Sequence, residues 1–127
     1  MTTPPKSGPA EVTCVPKPWG HEIIWARTDR YVGKILHIRA GHALSVQYHE
    51  RKDETVYLLA GELKYWVKTG ATRTDMHPGV GDAFRITPHT IPYMEAVTDS
   101  TVREESTPEL DAVVRLSRRH GARGPHA

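Results

Sequence analysis

The sequence predicts an all-β protein with a single domain, built as an antiparallel sandwich or a small barrel. The first observation behind this is a series of short segments rich in Val, Ile, Tyr and Thr, separated by turns that contain Gly or Pro. The second is the length of 127 residues, which suits one buried core without disulfides. Together they predict roughly eight or nine strands.

The predicted domain spans residues 16–118, between a flexible N-terminal arm at residues 1–15 and a flexible tail at residues 119–127. A late amphipathic segment follows Thr107 and Pro108, which suit the first positions of a helix, so it is expected to be a short C-terminal helix or an extended tail. The predicted strands are HEIIWAR, YVGKILHIRA, ALSVQYH, ETVYLLAG, ELKYWVK, TRTDM, DAFRI, YMEAV and TVREEST.

Charge and cysteine content argue against several classes of protein. The chain has 17 basic and 15 acidic residues, without the clustered basic excess of a nucleic-acid binder. The single cysteine, Cys14, excludes an internal disulfide and a cysteine-based zinc cluster. No apolar run approaches the ~18 residues of a membrane span, and the N-terminus lacks the apolar core of a signal peptide. We therefore expect a cytoplasmic protein with no nucleic-acid or membrane partner.

Side-chain alternation places polar groups on the same faces as apolar ones. Gln47 and His49 share one face of ALSVQYH, and Glu54 shares a face with Val56 of ETVYLLAG. If those faces look inward, the three polar groups meet in the interior. An unpaired carboxylate there costs roughly several kcal/mol, so it needs a cation, a hydrogen-bond network or a proton. In the alternative, Glu54 lies at the rim in water and pairs with a neighbouring Lys52 or Arg51.

Lys34 and Tyr93 are two further candidates for the interior. Lys34 shares a strand face with Leu36 and Ile38. It either points inward, as a partner for Glu54 or for an anionic substrate group, or keeps its amine at the rim. Tyr93 opens the strand after the TPHTIP turn and is a candidate proton donor if its phenol faces inward.

The order Gly41, Gln47, His49, Glu54, Gly61 resembles the first motif of the cupin superfamily, with Gln47 in place of the usual first histidine. Together with KPWG near the start and STPELDAVVRL near the end, it resembles the cupin domain of type II mannose-6-phosphate isomerases and the small cupins related to them. This resemblance implies a jelly-roll barrel. It also implies a divalent metal such as Zn, Ni, Mn or Fe, and a homodimer formed through an outer sheet whose edge is KPWGHEIIW.

The second cupin motif departs from the family pattern. Gly81 matches its starting glycine, but His89 stands where a glycine is expected and Pro92 where the last metal ligand, a histidine, is expected. In one interpretation His89 turns inward and completes a site with Gln47, His49 and Glu54. In the other it is a surface turn residue, and the remaining polar groups form a hydrogen-bonding or acid–base site.

The resemblance implies chemistry on a small molecule inside the barrel. We expect isomerase, epimerase or cyclase-type proton transfer, with His49 and Glu54 as acid–base residues and Gln47 or a metal polarising an oxygen. Candidate substrates are a sugar phosphate and a polyketide. The alternative is a cupin that binds a sugar or another metabolite without turnover. A redox oxygenase is disfavoured because only His49 is a secure nitrogen ligand.

Overall fold

A computed structural model describes residues 4, 6–44, 46–108 and 113–117 of the chain. These residues form strands and no helix, so no described segment is a helix long and apolar enough to cross a membrane. The strands are β1 (Thr13–Lys17), β2 (Gly20–Arg27), β3 (Val32–Ile38), β4 (Val46–His49), β5 (Glu54–Ala60), β6 (Leu63–Thr69), β7 (Thr72–Met76), β8 (Ala83–Ile86), β9 (Ile91–Ala96), β10 (Ser100–Ser106) and β11 (Val113–Ser117).

The strands pair in antiparallel fashion in three sheets. The large sheet has the order β1-β2-β3-β10-β5-β8, a second has the order β7-β6-β9, and β11 pairs with β4. The late strand β10 lies between β3 and β5, so strands far apart in sequence are neighbours in space. This architecture confirms the predicted all-β class and is consistent with a cupin-type jelly roll.

One face of the large sheet, here called the interior face, packs against β6 and β9. Alternation produces it: on β10, Val102 is buried and lies opposite Leu36 of β3 and Leu58 of β5. The apolar core contains Trp19, Leu36, Ile38, Val56, Leu58, Leu63, Tyr65, Ile86, Met94, Ala96 and Val102.

The opposite, outer face of the large sheet carries a local irregularity. The β2–β3 register shifts between Ile24 and Ala26, so Trp25 is the extra residue of a β-bulge. Its indole lies against Gly33, where a Cβ would come within 2.6 Å of the ring. The guanidinium of Arg103 lies over the same indole, 5.0 Å from the ring centroid. The bulge thus turns a large aromatic side chain across a glycine in the neighbouring strand.

The structure decides between the two alternatives for the C-terminal segment and corrects two other expectations. Residues 113–117 form strand β11 and not part of a helix, because this segment pairs with β4. Strand β1 begins at Thr13, inside the predicted N-terminal arm. The edge of the large sheet is β1, whereas the HEIIW segment lies in β2, between β1 and β3.

Two turn residues explain how the strands reverse. Gly61 has φ 98° between β5 and β6, and a Cβ there would lie 2.3 Å from Oγ of Ser100, so only glycine fits. His89 has φ 66° in the turn that leads into β9. It adopts a left-handed conformation at the place where the cupin motif has glycine, which histidine tolerates at a cost.

Candidate functional site

Two carboxyl groups, Glu54 of β5 and Glu104 of β10, meet on the interior face and are here called the carboxyl pair. In the β5–β10 register, Glu104 lies opposite Val56, which is two residues from Glu54 on the same face of β5. Glu54 is 8% exposed, and a hydrogen bond joins the two carboxyl groups. Burial raises the pKa of Glu54 well above its ordinary range, and the charge of Glu104 and the hydrogen bond to it raise this pKa further. Both effects favour the neutral, protonated form of Glu54.

Lys34 points into the same interior face. Its Nζ lies 3.5 Å from Oε2 of Glu22, which is itself buried on β2. The charges of Lys52 and Lys34 lower the pKa of Glu54, but less than burial and Glu104 raise it. The direct ion-pair partner of Lys34 is therefore Glu22 and not Glu54.

Two buried hydroxyl groups lie beside the carboxyl pair. Ser106 of β10 is 7% exposed and lies directly opposite Glu54 in the register. Tyr65 of β6 is 3% exposed and reaches the interior from the second sheet, with its ring packed against Phe84. Burial first, and then the charges of Glu54 and Glu104, raise the pKa of Tyr65, so its phenol stays protonated. Within the described part of the chain, neither hydroxyl has a hydrogen-bond partner.

A cavity of about 590 Å³, here called the basic cavity, opens at the end of the large sheet where β2 and β10 finish. Lys34 and Lys52 line it. Lys34 lies opposite Glu104 in the β3–β10 register, and the charges of both lysines act on Glu54. The full lining is Arg27, Thr28, Asp29, Val32, Lys34, Lys52, Thr107 and Pro108.

Asp53 fixes the segment that carries Lys52. Its carboxylate accepts two hydrogen bonds from Arg85, at 3.1 Å from Nε and 2.6 Å from Nη2. Its amide donates to Oγ1 of Thr107 at 3.0 Å, and its carbonyl accepts from the amide of Thr107 at 2.9 Å. The hydrogen bond from Arg85 lowers the pKa of Asp53. One wall of the basic cavity is therefore tied to β8 and to the residue after β10.

Of the other predicted site residues, His89 and Tyr93 lie away from the carboxyl pair. The side chain of His89 is exposed, and its amide donates to the carbonyl of His49 at 2.9 Å. Nδ1 of His49 is buried. Tyr93 belongs to a second cluster with Ala43 and donates a hydrogen bond to Glu95. Its neighbour Met94 faces the core, so the condition for Tyr93 as an inward proton donor is not met.

The predicted metal site, with Gln47, His49, Glu54 and His89 as ligands, stays a prediction. Among the described residues, no three His, Cys, Asp or Glu side chains come together in a way that could hold a metal ion, and this includes His49, Glu54 and His89. The side chain of Gln47 lies outside the described residues. The carboxyl of Glu54 is instead engaged with Glu104. We therefore assign no chemical step to a metal.

Sequence reasoning missed Glu22, Tyr65, Glu104 and Ser106. The signal was present in the alternation: Glu104 and Ser106 share a face with Val102, and Glu22 shares a face with Ile24. The segment TVREEST is itself one of the predicted strands. Tyr65 gives no such signal, because aromatic residues on strands usually serve packing.

Comparisons with known proteins bear on the fold. No protein-family model matches the chain, and no curated protein matches it. Among solved structures, KdgF from Halomonas sp. is 24% identical with a TM-score of 0.60 over 70% of this chain and 80% of that one. Streptomyces PAC13, solved with uridine, is 14% identical with a TM-score of 0.67 over 91% and 94% of the two chains.

A third similar structure is an RmlC-like cupin from Shewanella frigidimarina. It is 17% identical, with a TM-score of 0.58 over 71% of this chain and 77% of that one. At these identities the likeness concerns the fold alone, and the narrower resemblance to type II mannose-6-phosphate isomerases stays a prediction. The antiparallel sheets and this neighbour are consistent with a cupin-type jelly-roll fold.

Proposed function

We propose that this chain is a small-molecule enzyme that transfers protons with the carboxyl pair Glu54 and Glu104. The observation that supports this most strongly is a carboxyl group kept protonated by burial and hydrogen-bonded to a second carboxyl group. Two neighbouring carboxyl groups that share one proton contain an acid and a base in the same place. Such a pair is expensive to bury, so a purely structural role gives no reason to retain it.

The pair suits isomerase, epimerase or cyclase-type chemistry next to a carbonyl group. Glu104, as the carboxylate, takes a proton from the carbon beside the carbonyl, and the C–H electrons move to form an enol. Glu54 gives its proton to the carbonyl oxygen as that oxygen gains charge. Return of a proton to carbon and loss of the enol proton complete the reaction, with atoms and charge conserved. General acid–base catalysis of this kind contributes about 10²–10⁴-fold in rate.

The basic cavity suggests where the substrate enters. Its volume of about 590 Å³ lies in the range that accommodates a small ligand. Arg27, Lys34 and Lys52 favour an anionic group at this end, as in a sugar phosphate, although Asp29 also lines it. The structural similarity to PAC13, which was solved with uridine, adds nucleosides to the candidates. A polyketide remains the third candidate class.

The test is proton exchange in D₂O followed by ¹H NMR. The protein is incubated separately with D-mannose 6-phosphate, uridine and a 1,3-dicarbonyl compound that stands in for a polyketide. We expect exchange or isomerisation of at least one of them, slowed about 100-fold or more in Glu54→Gln and in Glu104→Gln. Glu105→Gln is the matched control, because it is the next residue on β10 and faces outward, where it pairs with Arg103.

Three results separate the alternatives. Turnover that survives Glu54→Gln and Glu104→Gln unchanged would contradict the proposed roles. Saturable binding of a probe without exchange or conversion would identify a binding module in place of an enzyme. Equal losses in the Glu105→Gln control would point to a general effect on folding.

A further inference from the structure

The buried hydroxyl groups of Tyr65 and Ser106 have no structural use in the described chain. Both side chains are more than nine-tenths buried, yet neither hydroxyl has a hydrogen-bond partner among the described residues. A buried polar group without a partner costs about 1–3 kcal/mol. Other buried hydroxyls are satisfied: Oγ of Ser100, on the same strand, donates to the carbonyl of Thr98 at 2.8 Å.

Both hydroxyl groups flank Glu54, one from each sheet. Ser106 is the cross-strand partner of Glu54 on β10, and Tyr65 lies close enough for the charges of the carboxyl pair to act on it. We propose that Tyr65 and Ser106 bind oxygen atoms of the ligand beside Glu54. Tyr65 is thereby a further catalytic residue that donates a hydrogen bond to substrate. This inference rests on the proposed function and adds the chemical class of group that the site recognises.

The recognised group is an uncharged oxygen, a hydroxyl or a carbonyl. A protonated phenol donates one hydrogen bond, and a serine hydroxyl both donates and accepts. The neighbouring carboxylate of Glu104 disfavours an anionic oxygen at the same place before reaction. During proton transfer the carbonyl oxygen gains charge, and the O–H of Tyr65 then strengthens its hydrogen bond to that oxygen. An anionic group of the substrate belongs instead in the basic cavity, near Lys34 and Lys52.

The first test needs no ligand and compares thermal unfolding of four variants. Ser106→Ala and Tyr65→Phe remove hydroxyls without partners, so the melting temperature should stay equal to wild type or rise by about 3 °C. Ser100→Ala and Tyr93→Phe are matched controls that remove buried, hydrogen-bonded hydroxyls. Both controls should lower the melting temperature. A fall for Ser106→Ala and Tyr65→Phe equal to that of their controls would overturn the proposal.

The second test is binding of uridine and of D-mannose 6-phosphate by isothermal titration calorimetry. Tyr65→Phe and Ser106→Ala should each weaken binding of the recognised probe about five- to tenfold, and Tyr65→Phe should lower kcat more than it changes KM. Unchanged affinity and kcat in both variants would overturn the inference while leaving the carboxyl pair in place. If wild type binds neither probe, the proposed substrates are wrong, and the thermal comparison alone decides the role of the hydroxyls.

Discussion

Glu54 shows how one position acquires chemistry from its surroundings. Glutamate in water is ionised at neutral pH, but here burial and a second carboxyl group favour its neutral form. The resulting carboxylic acid is a hydrogen-bond donor, and the same residue in an ordinary cupin motif is a metal ligand. In the proposed function, the neighbouring carboxyl group of Glu104 gives Glu54 the role of an acid.

The raised pKa of Glu54 predicts how stability depends on pH. The folded chain holds the proton of Glu54 more tightly than the unfolded chain, in which this carboxyl group has its ordinary pKa of 4.5. The contribution of this group to stability is therefore fully present below about pH 4.5, and it is lost as the pH rises through the pKa of Glu54 in the folded chain. Glutamine is neutral at every pH. In Glu54→Gln, the free energy of unfolding should therefore fall less with rising pH than in wild type, and the variant should be more stable than wild type at pH 8.

Urea denaturation at several pH values between about 5 and 8 measures this difference. Glu105→Gln serves as the control, because its exposed carboxylate pairs with Arg103 on the outer face. Wild type and Glu54→Gln with parallel pH profiles would contradict the protonated state assigned to Glu54.

At the level of single residues, the sequence pointed to one member of the carboxyl pair. Glu54 stood out because it follows a motif and shares a strand face with apolar residues. Glu104 did not stand out in the same way. The neighbours of its side chain depend on the register of β10 against β3 and β5, which are distant in sequence. Register between such strands is set by packing across the whole sheet, and a local pattern does not contain it.

At the scale of elements, β9 carries the departure from the cupin pattern. Pro92 occupies the place of the last metal ligand and shares its strand face with Met94, which lies in the core. The preceding turn is closed by Thr87 and Thr90, whose hydroxyls are 3.0 Å apart, and it leaves His89 exposed. Histidine in this turn therefore does not replace the inward ligand that proline removed.

Restoring histidine on β9 should change metal affinity. Pro92→His places an imidazole on the inward face of the strand, and we expect Ni²⁺ or Zn²⁺ to bind at least tenfold more tightly than in wild type by calorimetry. Ile91→His is the matched control, because Ile91 packs in the second cluster with Tyr93, on the other face. Equal affinities for Pro92→His, Ile91→His and wild type would show that the interior has changed beyond a single ligand.

Of the two alternatives for the C-terminal segment, the structure shows the extended one at β11, and this has a physical explanation. The spacing of apolar residues in ELDAVVRLSRR fits a helix, and Thr107 with Pro108 supplies a helix start. The segment instead pairs with β4, from Val113 opposite His49 to Ser117 opposite Val46. Tertiary pairing overrides weak helix propensity in such short segments, and only the partner strand reveals it.

On the scale of the whole molecule, the outer face of the large sheet offers a surface for self-association. Ile23 and Ile35 are half-buried there, and Tyr57 and Leu59 of β5 are 39% and 40% exposed. Exposed apolar side chains that share one sheet face favour an interface. The homodimer implied by the cupin resemblance is therefore proposed through this face, with β1 at its edge.

Sedimentation velocity tests the dimer. Wild type should sediment as a dimer, and Leu59→Lys should shift the population to monomer because it places a charge in the interface. Val80→Lys is a control, since Val80 is 63% exposed in the loop before β8. A monomeric wild type, or a Leu59→Lys variant that remains dimeric, would contradict this interface.

The bulge at Trp25 has a consequence for the evolution of this sheet. A methyl group added at Gly33 of β3 would collide with the indole of Trp25. Removing the indole alone would expose the backbone of β3 at Gly33. Each single change is therefore harmful, whereas a small residue at 25 combined with a β-branched one at 33 restores a covered strand. The two positions should therefore change together during divergence.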